Sequence, residues 1–278
     1  MSDTAALSLG FSPCPNDTYI FNALVHGKVC AKQIQLQPPM LEDVETLNSW
    51  ALEQRLDVTK LSFHALGHVL DEYALLPSGA ALGRGCGPLL ITGPTAPTKP
   101  LSQWKIAIPG RLTTAALLLR LYHPACENLV VLRFDQIMEA LLQGQVDGGV
   151  IIHESRFTYQ TLGLNCVQDL GQWWESTTGL PIPLGCIVAR RSIDEDRRAE
   201  LGRVIRESIL WADANPQACL PYIQEHSQEM APEVVNSHIG LYVNEFSKDL
   251  GNEGGAAVRE LLARGAEIGL FPRHSTLF

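Results

Sequence analysis

Gly148-Gly149-Val150-Ile151-Ile152-His153-Glu154-Ser155-Arg156 is an apolar run that ends in four polar side chains. The glycines and β-branched residues up to Ile152 predict a buried strand, which delivers a titratable imidazole at its carboxyl end. Open α/β sheets place their ligands beyond the carboxyl ends of strands, so the stretch predicts an α/β fold with His153 at a ligand site. A satisfied core histidine at a strand end would have the same local sequence.

A similar passage lies upstream. Leu56-Asp57 leads into an apolar stretch that ends at Ser62-Phe63-His64, as Val146-Asp147 leads into the stretch that ends at His153. Aligned on Asp57 and Asp147, Ser62 stands beside Ile152 and Phe63 beside His153. The chain also opens with a strand, Leu7 to Phe11, a loop, Ser12-Pro13-Cys14-Pro15-Asn16-Asp17-Thr18, and a helix from Tyr19 to Val25. That order returns in Lys105 to Ile108, the turn Pro109-Gly110, Arg111-Leu112-Thr113-Thr114 and the helix Ala115 to Leu121. Two similar α/β lobes facing each other would bring residues 12–18, Ser62, Thr113, Thr114 and His153 to one cleft. The loop-to-helix starts expose unpaired N–H groups at positive dipole ends, which suit a carboxylate. Thr113 and Thr114 can offer hydroxyls to such an anion, or serve only as caps.

Gly93 to Pro100 carries three prolines and reads as a linker. Gly179 to Ala189 is a second Pro- and Gly-punctuated passage that reads as the return crossing. The expected division is therefore 1–92 and 186–278 for one lobe and 93–185 for the other. From Asp194 onward the helical spacing predicts packing helices with little chemistry.

Several function classes are excluded. Gly83-Arg84-Gly85-Cys86-Gly87-Pro88 runs into a strand-like segment rather than a helix, so it is no dinucleotide loop, and a P-loop is absent. The glycines there predict a tight turn or a close backbone approach at a lobe boundary. His64 and His68 are four apart but lack the glutamate of a zinc peptidase motif, so no metal is expected. The net charge of -9, with 21 scattered Lys and Arg, excludes a nucleic-acid surface. The seven cysteines are widely spaced and form no disulfide or zinc pattern. No apolar stretch is long enough to span a membrane, and the amino terminus lacks the features of a signal peptide, so a cytoplasmic location is expected.

Ser-Pro-Cys-Pro-Asn-Asp-Thr at 12–18, Glu-Asp-Val-Glu-Thr-Leu-Asn at 42–48, Thr-Lys-Leu-Ser at 59–62, Gly-Arg-Leu-Thr-Thr at 110–114 and Ile-Ile-His-Glu-Ser-Arg-Phe-Thr-Tyr at 151–159 together carry a resemblance. The chain resembles the 1,4-dihydroxy-6-naphthoate synthase family of menaquinone biosynthesis over nearly its whole length. The resemblance implies a two-lobed fold similar to type II periplasmic binding proteins, with a cleft between the lobes, used in the cytoplasm as a carbon–carbon lyase. It implies cyclic dehypoxanthinyl futalosine as substrate, and 1,4-dihydroxy-6-naphthoate and dihydroxyacetone as products. The family's histidine base falls on His153. Its substrate-contacting stretches fall on Lys60, Leu61 and Ser62 and on Thr114 and Ala115, with Thr113 adjacent. No cofactor or metal is implied; the partner is a small-molecule carboxylate. Two other readings remain at this stage. One is chorismate dehydratase of the same pathway, and the other is a non-catalytic solute-binding protein for an aromatic or hydroxy acid.

Overall fold

The structure, a computed structural model, describes residues 6–32, 34–227 and 231–278. Its strands fall into two sheets. The first contains β1 (Leu9–Phe11), β2 (Met40–Leu41), β3 (Val58–Ser62), β4 (Tyr73–Leu75), β5 (Ala81–Gly83) and β11 (Ile182–Arg190). The second contains β6 (Leu89–Thr92), β7 (Ile106–Ile108), β8 (Leu129–Val131), β9 (Gly148–Ile151) and β10 (Asn165–Asp169). The first sheet runs β2-β1-β3-β11-β4, with β5 also on β11, and the second runs β10-β6-β9-β7-β8.

The repetition seen in the sequence is one of topology. In the first sheet β1 lies parallel between β2 and β3, and in the second β7 lies parallel between β8 and β9. Beyond that trio each lobe adds an antiparallel strand, β11 against β3 and β6 against β9. Parallel neighbours need crossover connections. In the first lobe α1 (Pro15–Val25) and α2 (Val44–Leu52) supply them, and α3 (Phe63–Val69) follows β3. In the second, α4 (Thr114–Tyr122) and α5 (Ile137–Leu142) do the same, and α6 (Ser155–Thr158) and α7 (Leu170–Thr178) follow. The remaining helices are α8 (Glu195–Ala214), α9 (Pro216–His226), α10 (Pro232–Tyr242), α11 (Glu245–Lys248) and α12 (Gly251–Glu267).

The first crossing lies elsewhere than the prolines suggest. β6 pairs with β9 and β10, so Leu89–Thr92 belongs to the second sheet rather than to the lobe bounded at 92. The chain passes between the sheets over residues 84–88, and the proline-rich 93–100 is a loop inside the second lobe. An all-apolar run such as Leu89-Leu90-Ile91 fits a central strand, here the one between β10 and β9 of the second sheet. At the crossing, an added Cβ on Gly87 would stand 2.3 Å from the Gly171 Cα, so only glycine allows this close backbone approach. The return crossing follows α7 and enters β11 at Ile182.

One apolar cluster joins the two lobes. Phe63 and Leu66 of α3, Leu117 and Leu118 of α4, Val150 of β9, Trp174 of α7 and Leu261 of α12 all belong to it. The glycines of β9 have a packing reason. A Cβ on Gly149 would stand 2.4 Å from Ile137 Cγ2, so the strand has glycine where α5 presses on it. Gly149→Ala is expected to destabilise the fold by about 1–3 kcal/mol through overpacking. Urea unfolding measures this, and wild-type stability in that variant would show that α5 can shift away.

Candidate functional site

Each site residue is placed by an element end. β3 is buried along its length and alternates, so Lys60 and Ser62 face one side and Leu61 the other. Lys60 and Ser62 line the main cleft, whereas Leu61 is fully buried in the core. The three consecutive residues therefore do not present three side chains to a ligand.

Lys60 is a lysine inside a buried strand and requires a counter-charge. Its Nζ lies 2.6 Å from Asp17 Oδ1, and the two side chains are only 5% and 1% exposed. Asp17 stands in the first turn of α1, and its carboxylate is saturated. Oδ1 also accepts from Asn16 Nδ2 at 2.8 Å, while Oδ2 accepts from the Ser12 hydroxyl at 2.7 Å and the Ser12 N–H at 3.2 Å. The helix starts at Pro15, earlier than expected, and no side chain caps it; Ser12 of the loop and Asn16 and Asp17 of its first turn instead line the cleft together with Lys60.

Ser62 is held by Asn48 of α2. The Ser62 N–H donates to Asn48 Oδ1 at 2.8 Å, and Asn48 Nδ2 donates to Ser62 Oγ at 3.1 Å. Among the described residues the Ser62 hydroxyl hydrogen meets no acceptor, so it can turn to a ligand. Thr113 and Thr114 differ on this point. The Thr113 hydroxyl donates to the Gly110 carbonyl at 2.8 Å and caps α4 by accepting from the Ala116 N–H at 3.2 Å. Thr114 donates to the Leu184 carbonyl at 2.7 Å, tying α4 to β11. Their hydroxyl hydrogens are committed, so the donors left at this helix start are the N–H groups of Thr114 and Ala115. Thr113, Thr114 and Ala115 all line the cleft.

His153 comes two residues after β9 in a turn, at φ 56°. This left-handed conformation is uncommon for a non-glycine residue and marks a site where the surroundings fix the backbone. The Phe134 ring packs edge-on to the imidazole at 5.1 Å, and the His238 ring of α10 lies nearly parallel at 6.0 Å. The Nδ1 atom is 3.7 Å from Cys14 Sγ. Burial pushes the His153 imidazole below its ordinary pKa, while the Glu154 and Asp17 carboxylates pull upward and Lys60 pushes down. His153 also borders a second, more polar pocket with Glu42, Asp43, Arg133 and Glu154, so it stands between two chambers.

The carboxy-terminal helices carry more than packing. His238 Nε2 is 2.9 Å from Asn16 Oδ1, its Nδ1 faces Glu154 Oε2 at 3.9 Å, and Tyr242 lines the cleft. Arg156 is turned onto the crossing, where it donates to the Gly87 carbonyl at 2.5 Å and pairs with Asp169 at 2.7 Å. His64 uses Nδ1 on the Thr113 carbonyl at 3.1 Å, and burial pushes its pKa down to about 4. Among the described residues no group of three or more His, Cys, Asp or Glu side chains is set to hold a metal, and no helix is long and apolar enough to cross a membrane.

The main cleft brings together His153, Lys60, Ser62, Thr113, Thr114 and Ala115. Sequence reasoning misses Asn48, His238 and Tyr242, and brings Asn16 and Asp17 to the cleft within the stretch 12–18 without the pairing of Asp17 to Lys60. The buried lysine in β3 was the available signal for Asp17; none pointed to His238.

Comparison with known proteins follows the same lines. Residues 7–267 match the family model described as menaquinone biosynthesis. The chain is 51% identical over 265 residues to a 1,4-dihydroxy-6-naphthoate synthase of Thermus thermophilus, covering 95% of this chain and 96% of that protein. It is 46% identical to one of Streptomyces coelicolor, covering 96% and 95%. Among solved structures, protein AF1704 of Archaeoglobus fulgidus superposes with a TM-score of 0.89 at 34% identity, covering 97% of this chain and all of that one. The periplasmic aliphatic sulphonate binding protein SsuA of Escherichia coli, at 13% identity and a TM-score of 0.64, covers 96% of this chain and 89% of its own, and shares the fold alone.

Proposed function

Since this chain belongs to the menaquinone-biosynthesis family, among its 1,4-dihydroxy-6-naphthoate synthases, we propose that His153 is the general base that turns cyclic dehypoxanthinyl futalosine into 1,4-dihydroxy-6-naphthoate and dihydroxyacetone. The observation that carries this reading is the placement of His153 in the same cleft as an anion cradle. The Thr114 and Ala115 N–H groups and the Ser62 hydroxyl receive the substrate carboxylate at the positive end of α4. The cleft walls, with Ile152, Leu184 and Tyr242, take the ring system.

Burial keeps the imidazole neutral near neutral pH, and a neutral imidazole can take a proton from the bound ring. Loss of the three-carbon fragment then completes an aromatic ring, so the chemistry needs orientation, water exclusion and proton movement, and we assign it no cofactor. The biosynthetic role of the relatives favours a cytoplasmic location.

Incubating the purified protein with cyclic dehypoxanthinyl futalosine and following the naphthoate chromophore tests the reading. Turnover to the naphthoate is expected. Binding without turnover would favour a solute-binding role on the same fold, and conversion of chorismate instead would favour the dehydratase. Ser62→Ala removes one hydrogen bond to a charged group, so KM should rise about ten- to a hundredfold with kcat little changed. An unchanged KM would take Ser62 out of the carboxylate site.

A further inference from the structure

The start of α4 in the second lobe is tied to the first lobe by hydrogen bonds. Thr114 donates to the Leu184 carbonyl, the Thr113 carbonyl accepts from His64 Nδ1, and the Leu112 N–H donates to both carboxylate oxygens of Glu45 in α2, at 3.1 and 3.2 Å. Of these, the Glu45 bond leads on to β3. Glu45 Oε2 also accepts from Asn48 Nδ2 at 3.2 Å, and the same amide nitrogen donates to Ser62 Oγ at 3.1 Å. The orientation of that amide is settled by the Ser62 N–H, which can only donate and meets Asn48 Oδ1 at 2.8 Å. A backbone N–H at each end therefore fixes every donor and acceptor from Leu112 through Glu45 and Asn48 to Ser62. Gly110 leaves the room this arrangement needs, since a Cβ there would stand 2.3 Å from Glu45 Cδ and 2.4 Å from its Oε2.

We propose that Glu45 is a positioning residue that clasps the two halves of the anion cradle together: through Leu112 it sets the start of α4, and through Asn48 it sets the Ser62 hydroxyl. The two halves come from different lobes and must receive one carboxylate between them, so their spacing decides how much of the protein is ready to bind. Asn48 occupies the Ser62 oxygen as an acceptor, which leaves the hydroxyl hydrogen to be given to an anion. Glu45 takes up the Leu112 N–H and leaves the N–H groups of Thr114 and Ala115 to the ligand. The inference rests on the reading that Ser62 and α4 hold the substrate carboxylate, but the clasp itself can be measured without turnover.

Glu45→Ala and Gly110→Ala break the clasp in different ways, the first by removing the carboxylate and the second by displacing it with its charge kept. The bonds of Thr114 and His64 remain in both, so α4 stays in place and the change falls on the cradle. The dissociation constant for 1,4-dihydroxy-6-naphthoate, read by titration calorimetry, should rise about tenfold in each variant. KM for the cyclic substrate should rise with it while kcat changes little, because His153 is untouched. Hydrogen exchange at the Leu112 amide, which needs no ligand, should become faster in both. The double variant should bind as Glu45→Ala does, since an alanine at 110 then meets no carboxylate. Wild-type affinity in either folded single variant, losses that add in the double variant, or unchanged Leu112 exchange in Glu45→Ala would overturn the proposal. Weaker naphthoate binding in both variants of a protein that forms no naphthoate would support the clasp and remove the assigned reaction instead.

Discussion

His153→Asn is expected to lose on the order of 10² to 10⁴ in kcat, the usual worth of a positioned proton acceptor. That is about 3–5 kcal/mol of barrier. Asparagine is the informative replacement because the backbone at this position has φ 56°, a region that asparagine tolerates better than most residues. The turn and the flanking contacts of Phe134 and His238 should therefore persist, so a loss of rate reports the missing base rather than a collapsed loop. Product affinity should change little, because in the proposed binding mode the carboxylate sits at α4 and Ser62. The wild-type rate should fall only below the ordinary imidazole pKa of about 6.5, since burial lowers the His153 value. The sign follows from the chemistry: the neutral ring is active, and protonation on the acid side removes it. That acid limb should be missing from whatever activity His153→Asn retains. Steady-state kinetics across pH and a titration with the naphthoate check both parts; near-normal kcat with the same acid limb would place the base elsewhere.

Lys60→Met should destabilise the fold by about 3–5 kcal/mol, because removing one partner of a buried ion pair leaves the other charge without compensation. The Asp17 carboxylate is only 1% exposed, so its charge depends on the partners around it. Its bonds from Ser12 and Asn16 remain, which favours the lower part of that range. The double variant Lys60→Met with Asp17→Asn should recover much of the loss, since neither charge is then left alone. Urea unfolding of the two single variants and the double variant gives the coupling. A Lys60→Met protein as stable as the wild type would contradict the buried pair. In the folded fraction, KM for the carboxylate substrate should also rise, as the cleft has lost its ammonium group.

The repeated strand, loop and helix order was legible because each lobe builds the same parallel trio, and local signals such as Thr113 before an apolar helix survive in a linear reading. His153 was legible for the same reason: an apolar run ending in polar residues is a local pattern. Its left-handed backbone was not, because nothing in Ile152-His153-Glu154 demands a positive φ in the way a glycine would. Alternation in β3 already implied that Lys60 and Ser62 share a face and Leu61 does not. The Lys60–Asp17 pair spans 43 positions and needs β1 beside β3, so only the assembled sheet reveals it. Proline content misplaced the first crossing, since prolines mark loops and do not say which loop leaves a lobe. His238 is one residue on an ordinary helix, and its role as a wall for His153 comes wholly from tertiary packing.

In the function proposed for this protein, one cleft holds the substrate's carboxylate at one end and offers its ring to His153. A crystal structure of the protein with bound 1,4-dihydroxy-6-naphthoate tests it most directly. The carboxylate is expected within hydrogen-bonding distance of the Thr114 and Ala115 N–H groups and the Ser62 hydroxyl, with the edge of the dihydroxy ring about 3–3.5 Å from the His153 imidazole. A product carboxylate bound away from α4, or a ring separated from His153 by protein side chains, would contradict it.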